Sequence, residues 1–322
     1  MDNDSRELSK KVLLFGSGYM AEEYLKVLNA LQCETVMIGR NSEKAEKVAL
    51  KYGVKGYGES AKALKTIDCE NIDLAILATS IESLKELTCA CLKQNICNIL
   101  VEKPGALNIG ELKSIKEVSR ENSNIRIAYN RRFYNAVKLL KDRIAQDGGI
   151  EGCFFDFTDR EMDVLDNPSA EKVIRRWGFA NASHVIDTAF FLAGKPVEIE
   201  CRQSGGWDVH PSGNVFVGSG RTDKCLFSYF ATWAGGGRWN VEISTKRGRY
   251  KLSPLEKLQF CKKNQFSWVE IPPTDDNDEK FKPGVYKMVK AMLQAEEPID
   301  LPGLDDQVKF CEVIDRIFGY GS

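Results

Sequence analysis

Residues 11–28 read KVLLFGSGYMAEEYLKVL. The apolar run ending at Phe15 has the length and continuity of a strand buried on both faces, and it stops at a glycine. A helix-forming segment follows from about Ala21 to Leu31. Between them Gly16, Gly18 and Ala21 fall in the spacing G-x-G-x-x-A. A glycine at the first position permits a tight strand-to-helix turn. One at the second lets backbone approach a pyrophosphate, which then faces the free N–H groups of the helix start. Placed at the first turn of a β-α-β series, the pattern predicts a dinucleotide site, with Gly16, Ser17, Gly18, Tyr19 and Met20 forming its cradle.

The series continues. TVMI reads as a second strand, and SEKAEKVALKYG as a helix opened by Ser42 and closed by Gly53. LAILAT is the next clear strand, SLKELTCACLKQ a helix, and NILVEKP a later strand. Repeats of this length predict a parallel sheet with helices on both faces, occupying residues 1–128. From residue 129 the pattern changes. The helical stretch NAVKLLKDRIAQ leads into aromatic-rich strands, CFFDFTD, VEIECRQ, NVFVGSG, CLFSYFATWA and WNVEISTKRGRYKL, parted by turn residues. These predict a second domain, 129–322, built on a mostly antiparallel sheet, with helical stretches VYKMVKAMLQ and 304–318 closing the chain.

Three loops at strand ends carry chemistry. After the second strand comes IGRNSEK, with Gly39 where an acid for the ribose 2′-OH of NAD is expected, then Arg40, Asn41 and Ser42. The missing acid removes repulsion against a 2′-phosphate, and a guanidinium pairs with one in fork geometry. The reading favours NADP, with NAD as the alternative. Ala78, Thr79 and Ser80 at the end of LAILAT are expected to line the same cofactor. VEKP places Glu102 and Lys103 at the carboxyl edge of the sheet, where ligands of such folds bind. A lysine there orients a hydroxyl and passes a proton; Pro104 restricts it.

The stretch NASHVID holds one of the chain's two histidines. A helix capped by Asn181 or Ser183 and running to Gly194 puts Asn181, His184, Asp187 and Thr188 on one face, opposite Val185, Ile186, Ala189, Phe190 and Ala193. On that reading His184 is a base near a helix start, and Asp187 either orients its ring or makes a structural bond of its own. Asn181 on that face is a candidate to contact substrate, and Arg175, Arg176 and Trp177, just upstream, are candidates to read an anionic or ring-shaped one. His210, in DVHPSG, reads as an incidental loop residue.

In this order and spacing GSGYMA, LAILAT, VEKPGAL, AYNRRF and SHVIDTAFFLAG resemble the Gfo/Idh/MocA family of oxidoreductases, over almost the whole chain. The resemblance implies an α/β protein: an N-terminal Rossmann domain with a doubly wound parallel sheet, and a C-terminal α+β domain with a large, open, mainly antiparallel sheet. It implies hydride transfer between nicotinamide and a hydroxyl or carbonyl carbon of a sugar, nucleotide sugar or polyol. Lys103 and His184 then become catalytic, with Asn130 and Arg132 near the substrate. Many members carry an aspartate four residues before the histidine; here that residue is Ala180. Two other functions stand as alternatives: an NADP(H) sensor made inactive by that gap, or a lyase or hydrolase whose bound NAD takes a hydride and returns it to the substrate.

Composition bounds the partners. A net charge of −1 gives no electrostatic case for nucleic acid or an anionic membrane, and no run reaches the length of a membrane span. The polar start lacks the apolar core of a signal peptide, so a cytoplasmic chain is expected. Ten scattered cysteines contain no C-x-x-C pair, which fits reduced thiols and no metal site. The aromatic strands leave one face of the second sheet in need of cover, so a homodimer or homotetramer is expected.

Overall fold

A computed structural model describes residues 9–58, 63–166, 169, 171–208, 210, 212–233, 235–237, 239–294 and 299–320. The chain divides into two compact units. One comprises the chain up to Ala128 together with Val285–Leu304; the other comprises Tyr129–Gly284 and the chain from Asp305. The sequence reading gave everything after 128 to the second domain. Residues Val285–Leu304 instead return to the first unit, and the reason lies in its uncovered surfaces. The helix Val285–Gln294 buries Val285, Met288, Val289 and Met292 as one stripe, and it packs on the first helix of this unit. Beyond it the Ile127 amide donates to the Pro302 carbonyl at 3.0 Å, and Gly303 pairs with Arg126, so returning chain covers a sheet edge.

The sheet of the first unit has six parallel strands: β1 (Lys11–Phe15), β2 (Glu34–Ile38), β3 (Lys55–Tyr57), β4 (Leu74–Leu77), β5 (Asn98–Glu102) and β6 (Asn124–Ala128). Their order is β3-β2-β1-β4-β5-β6. Helices α1 (Tyr19–Ala30), α2 (Ser42–Tyr52), α3 (Ile81–Lys93) and α4 (Ile109–Val118) connect them. Every residue of β4 is buried, as expected for a strand covered on both faces. The order reverses between β1 and β4, so the crevice for a ligand opens beyond the carboxyl ends of those two strands. The three-residue β3 was not read from the sequence; it is too short to show a period.

In the second unit, α5 (Asn135–Gln146) precedes β7 (Gly152–Asp156), and α6 (Ser183–Ala193) precedes the remaining strands. These are β8 (Pro196–Ser204), β9 (Val215–Thr222), β10 (Leu226–Thr232), β11 (Asn240–Thr245), β12 (Gly248–Leu252), β13 (Leu258–Lys262) and β14 (Val269–Ile271). They form one sheet in the order β14-β13-β12-β11-β7-β10-β9-β8, antiparallel except where β7 meets β10. Alternation is clear: Phe227, Tyr229 and Ala231 are buried, while Leu226 and Phe230 are 68% and 42% exposed. Helix α6 packs on β7 and β11, and α5 on β12 and β13. Val217, paired with Phe230 across β9 and β10, is also exposed.

His210 is not the incidental loop residue expected. It is 3% exposed and enclosed by Phe216, Trp233, Phe318 and Tyr320. Its Nδ1 lies 3.0 Å from the Gly213 carbonyl and its Nε2 2.8 Å from the Tyr320 hydroxyl, which itself accepts from the Gly178 amide. A proline-flanked loop gives no sign in sequence of the aromatic cluster that closes over it. Burial pushes the His210 pKa down to about 4, against a smaller upward pull from the Gly213 carbonyl. Between pH 6.5 and 4 the unfolded chain therefore binds the extra proton, and native stability falls on acidification through that window, by about 3 kcal/mol in total. Denaturant unfolding of wild type and His210→Phe at several pH values checks this. The wild-type advantage is expected to shrink by about that amount between pH 7 and pH 4; a constant difference contradicts it.

Candidate functional site

The residues singled out by sequence fall in two groups, one in each unit. In the first unit parallel pairing brings the ends of β1, β2, β4 and β5 to one edge. Gly16 leaves β1 at φ +117°, with its amide on the Ile38 carbonyl. A Cβ there would stand 2.1 Å from the Ala78 carbonyl oxygen, so the fold itself requires glycine. Gly18 differs. Its φ of −95° suits any residue, and a Cβ would meet nothing within 4 Å. Ser17, Tyr19 and Met20 complete the turn and open α1, with Tyr19 66% exposed.

At the end of β2 a Cβ on Gly39 would fall 2.7 Å from the Ala45 Cβ of α2, which explains why no acid stands there. Arg40 is exposed. Asn41, rather than Ser42, caps α2: its side chain accepts the Lys44 amide at 2.8 Å. Ser42 is the helix's first residue. Beyond β4, the Ala78 amide bonds the Phe15 carbonyl, and Ser83 Oγ donates to Thr79 Oγ1 at 2.9 Å, with Ser80 at the start of α3. Glu102 ends β5 and accepts the hydroxyl of the fully buried Tyr24 at 2.7 Å. Burial, and then Glu102, push the Tyr24 pKa well above its ordinary value. Lys103 follows, half-buried, its bond to Pro104 cis.

The second unit holds the histidine. Residues Gly178–Ala182 form a π-helical turn that runs directly into α6. The expected cap at Asn181 or Ser183 is therefore absent: the Ser183 amide bonds back to Gly178 within the turn. His184 thus lacks the free helix N-terminus that the sequence reading placed beside it. Nor is its face solvated. His184, Asp187 and Thr188 are 7%, 2% and 0% exposed. The His184 ring meets Tyr129 edge-on at 5.9 Å and lies 6.3 Å from the ring of Trp239.

Asp187 makes a structural bond. Arg132 Nε and Nη2 donate to its two oxygens at 2.8 and 2.6 Å, and the guanidinium lies over the Phe191 ring. Burial raises the Asp187 pKa and Arg132 opposes that rise. Arg132 is held in this pair, where the sequence reading had placed it at the substrate. Asn130, expected beside it, is 6% exposed and donates to the Pro283 carbonyl at 2.9 Å. Arg176 pairs with Asp315 at 2.6 Å, and Arg175 pairs with Glu171 at the surface.

A cavity of about 670 Å³ opens in this unit. Trp177 and Asn181, both expected near substrate, line it. So do Arg131, Asp159, Arg160 and Trp239, which sequence reasoning missed. Arg131 adjoins the residue that was chosen; the 3₁₀ turn Asn130–Phe133 sends one arginine to Asp187 and the other over Trp239 at 4.9 Å. Among the described residues no cluster of His, Cys, Asp and Glu is placed to hold a metal ion.

The family model described as oxidoreductase family, NAD-binding Rossmann fold, matches residues 10–130. In that stretch the chain is similar to the Gfo/Idh/MocA oxidoreductases. No curated protein matches the sequence. Among solved structures, levoglucosan dehydrogenase in complex with NADH is 19% identical, covering 96% of each chain with a TM-score of 0.77. A dehydrogenase from Clostridium difficile is 19% identical over 97% of this chain and 99% of its own, also at 0.77. A UDP-N-acetylglucosamine 3-dehydrogenase from Acidithiobacillus ferrooxidans is 13% identical over 97% of each, at 0.74. At such identities these likenesses establish the fold alone, which this chain shares with those structures over almost its whole length.

Removing one partner of a buried ion pair leaves the other charge stranded, at a cost of about 3–5 kcal/mol. Asp187→Asn is therefore expected to lower unfolding free energy by that order in chemical denaturation. The pH dependence of turnover by the remaining folded protein is expected to stay as in wild type. A shifted pH profile with unchanged stability would instead make Asp187 a partner of the chemistry.

Proposed function

We propose that this chain is an NAD(P)-dependent dehydrogenase or reductase acting on the CH–OH carbon of a sugar, nucleotide sugar or polyol. One observation carries the reading: a single edge of the first sheet presents both a glycine turn and Lys103. Gly18 supports it in particular, because no internal packing calls for glycine there, whereas the approach of a pyrophosphate does. The residues at this edge fit the cofactor. Gly16–Met20 would hold the pyrophosphate, Ala78–Ser80 and Glu102 the neighbouring part of the dinucleotide, and Arg40 and Ser42 the ribose end. Asn41 contributes by capping α2, which leaves Arg40 as the phosphate-reading group. NADP is the assigned cofactor.

A nicotinamide coenzyme held by these residues would supply hydride chemistry at its C4. The side chains handle the proton. Lys103 orients the substrate hydroxyl and exchanges its proton, and His184 serves as the second proton-transfer group. Asp187 acts through Arg132, fixing the 130–133 turn against α6. Trp177 and Asn181 contact the substrate. Ten free cysteines fit a reducing compartment, the cytoplasm. Among the described residues no helix is long and apolar enough to cross a membrane. The exposed Leu226, Phe230 and Val217 face is covered by a second copy of the chain; sedimentation at micromolar concentration is expected to show a dimer or tetramer, and a clean monomer contradicts it.

Coenzyme absorbance with a panel of sugars and polyols tests the reaction. Wild type is expected to turn over at least one of them, with NADPH bound more tightly than NADH by about ten- to a hundredfold and Arg40→Ala erasing that preference. Lys103→Ala is expected to lose about 10²–10⁴ in rate at nearly unchanged coenzyme affinity, and His184→Ala less. Full turnover by Lys103→Ala overturns the catalytic assignment. Coenzyme binding with no substrate consumed points to a sensor; substrate consumed without net coenzyme change points to transient redox.

A further inference from the structure

Ala180 supplies no carboxylate to the second unit's cavity, and Asp187 is committed to Arg132. Two acids nonetheless line this cavity, Asp159 and Glu256, and it is on Asp159 that the donors of the wall converge. Asp159 lies three residues beyond β7 and is 8% exposed. Its Oδ2 accepts from Trp177 Nε1 and from Asn181 Nδ2, and its Oδ1 accepts from Trp239 Nε1, all at 3.0 Å. Three separate segments meet on this one side chain: the approach to the π turn, the turn itself, and the approach to β11. All four residues line the cavity.

We propose that Asp159 is the positioning residue of the cavity, aligning the two indoles and the Asn181 amide into a slot for a pyranose ring. This rests on the reading above that the site takes a sugar-like molecule. An indole has a single donor and no acceptor, so tying its N–H fixes the rotation of the ring in its own plane. A carboxylate offers acceptors on both oxygens and satisfies all three donors. An amide at 159 would turn its NH₂ either onto Trp239 or onto the Trp177–Asn181 pair, donor against donor.

An N–H given to an anion also makes the indole more electron-rich. That strengthens its attraction for cations and for the polarised C–H face of a sugar ring. Arg131, 4.9 Å over Trp239, uses one such face. The ring of Trp239 is also the one that lies beside His184. Asp159 therefore reaches the histidine through an indole, where an acid at residue 180 is missing.

Proton–nitrogen correlation spectra of the five tryptophan indoles test this, with Trp177→Phe and Trp239→Phe supplying the assignments. In Asp159→Asn the Nε1–H signals of Trp177 and Trp239 are expected to move upfield while the other three stay. Levoglucosan and D-glucose, added as pyranose probes, are expected to perturb those two signals in wild type and not in Asp159→Asn. The KM for a turned-over pyranose is expected to rise by about tenfold or more, as loss of a bond to a charged group implies, at unchanged coenzyme affinity. Trp239→Phe keeps a smaller aromatic ring and deletes one donor, so it tests the same link where Asp159→Asn fails to fold; a raised KM is expected there too. Unmoved indole signals, an unchanged KM, or no response of wild-type indoles to either probe overturns the proposal. If the indoles respond while no sugar reduces the coenzyme, the slot stands and the dehydrogenase reading fails.

Discussion

Phe15 is paired with Ile38 on one side and Leu77 on the other, and the rest of the first unit follows from that double parallel pairing. A strand flanked on both edges and buried on both faces leaves its polar chemistry one way out, past its carboxyl end. The chain must turn there under the Ala78 carbonyl, and only glycine at residue 16 has room. The same pairing sets the ends of β2, β4 and β5 level with that turn. Gly39, Thr79 and Lys103 share an edge because the hydrogen-bond ladders place them there.

The second unit solves a different problem. Helix α6 carries a histidine, an aspartate and a threonine into an interior where all three are buried, and buried polar groups must be paired. Arg132 meets Asp187 in a fork; Thr188 Oγ1 turns back to the His184 carbonyl at 2.8 Å. The π turn before α6 widens the backbone enough to present Asn181 to the cavity while His184 stays within. Such turns occur often at functional sites, and here one lies between a tryptophan wall and a histidine.

Much of this was legible in the sequence. The glycine spacing, the strand-helix alternation and the change to aromatic strands after residue 129 depend on local pattern, and local pattern survives folding. VEKP could be placed at a sheet edge because a parallel strand delivers its last residues there. What escaped depends on contacts far apart in the chain. The helix Val285–Gln294 is amphipathic wherever it packs, and periodicity does not say which sheet it covers. Arg131 and Arg132 are adjacent and chemically alike; only the 3₁₀ turn separates them. Asp159 closes the stretch CFFDFTD, which reads as a strand, and nothing local shows that two indoles from other segments converge on it. His210 was hidden for the same reason, since its aromatic enclosure is assembled from β9, Trp233 and the end of the chain.

The central claim is that hydride moves between bound nicotinamide and a substrate carbon. It is met most directly by incubating the protein with NADPH dideuterated at C4 and a carbonyl form of a sugar from the panel. The label is then located by mass spectrometry. This account expects deuterium on the new carbinol carbon, one atom for each coenzyme oxidised, and a transfer slowed severely in Lys103→Ala. Label retained entirely in the coenzyme, or product formed without it, would contradict the account.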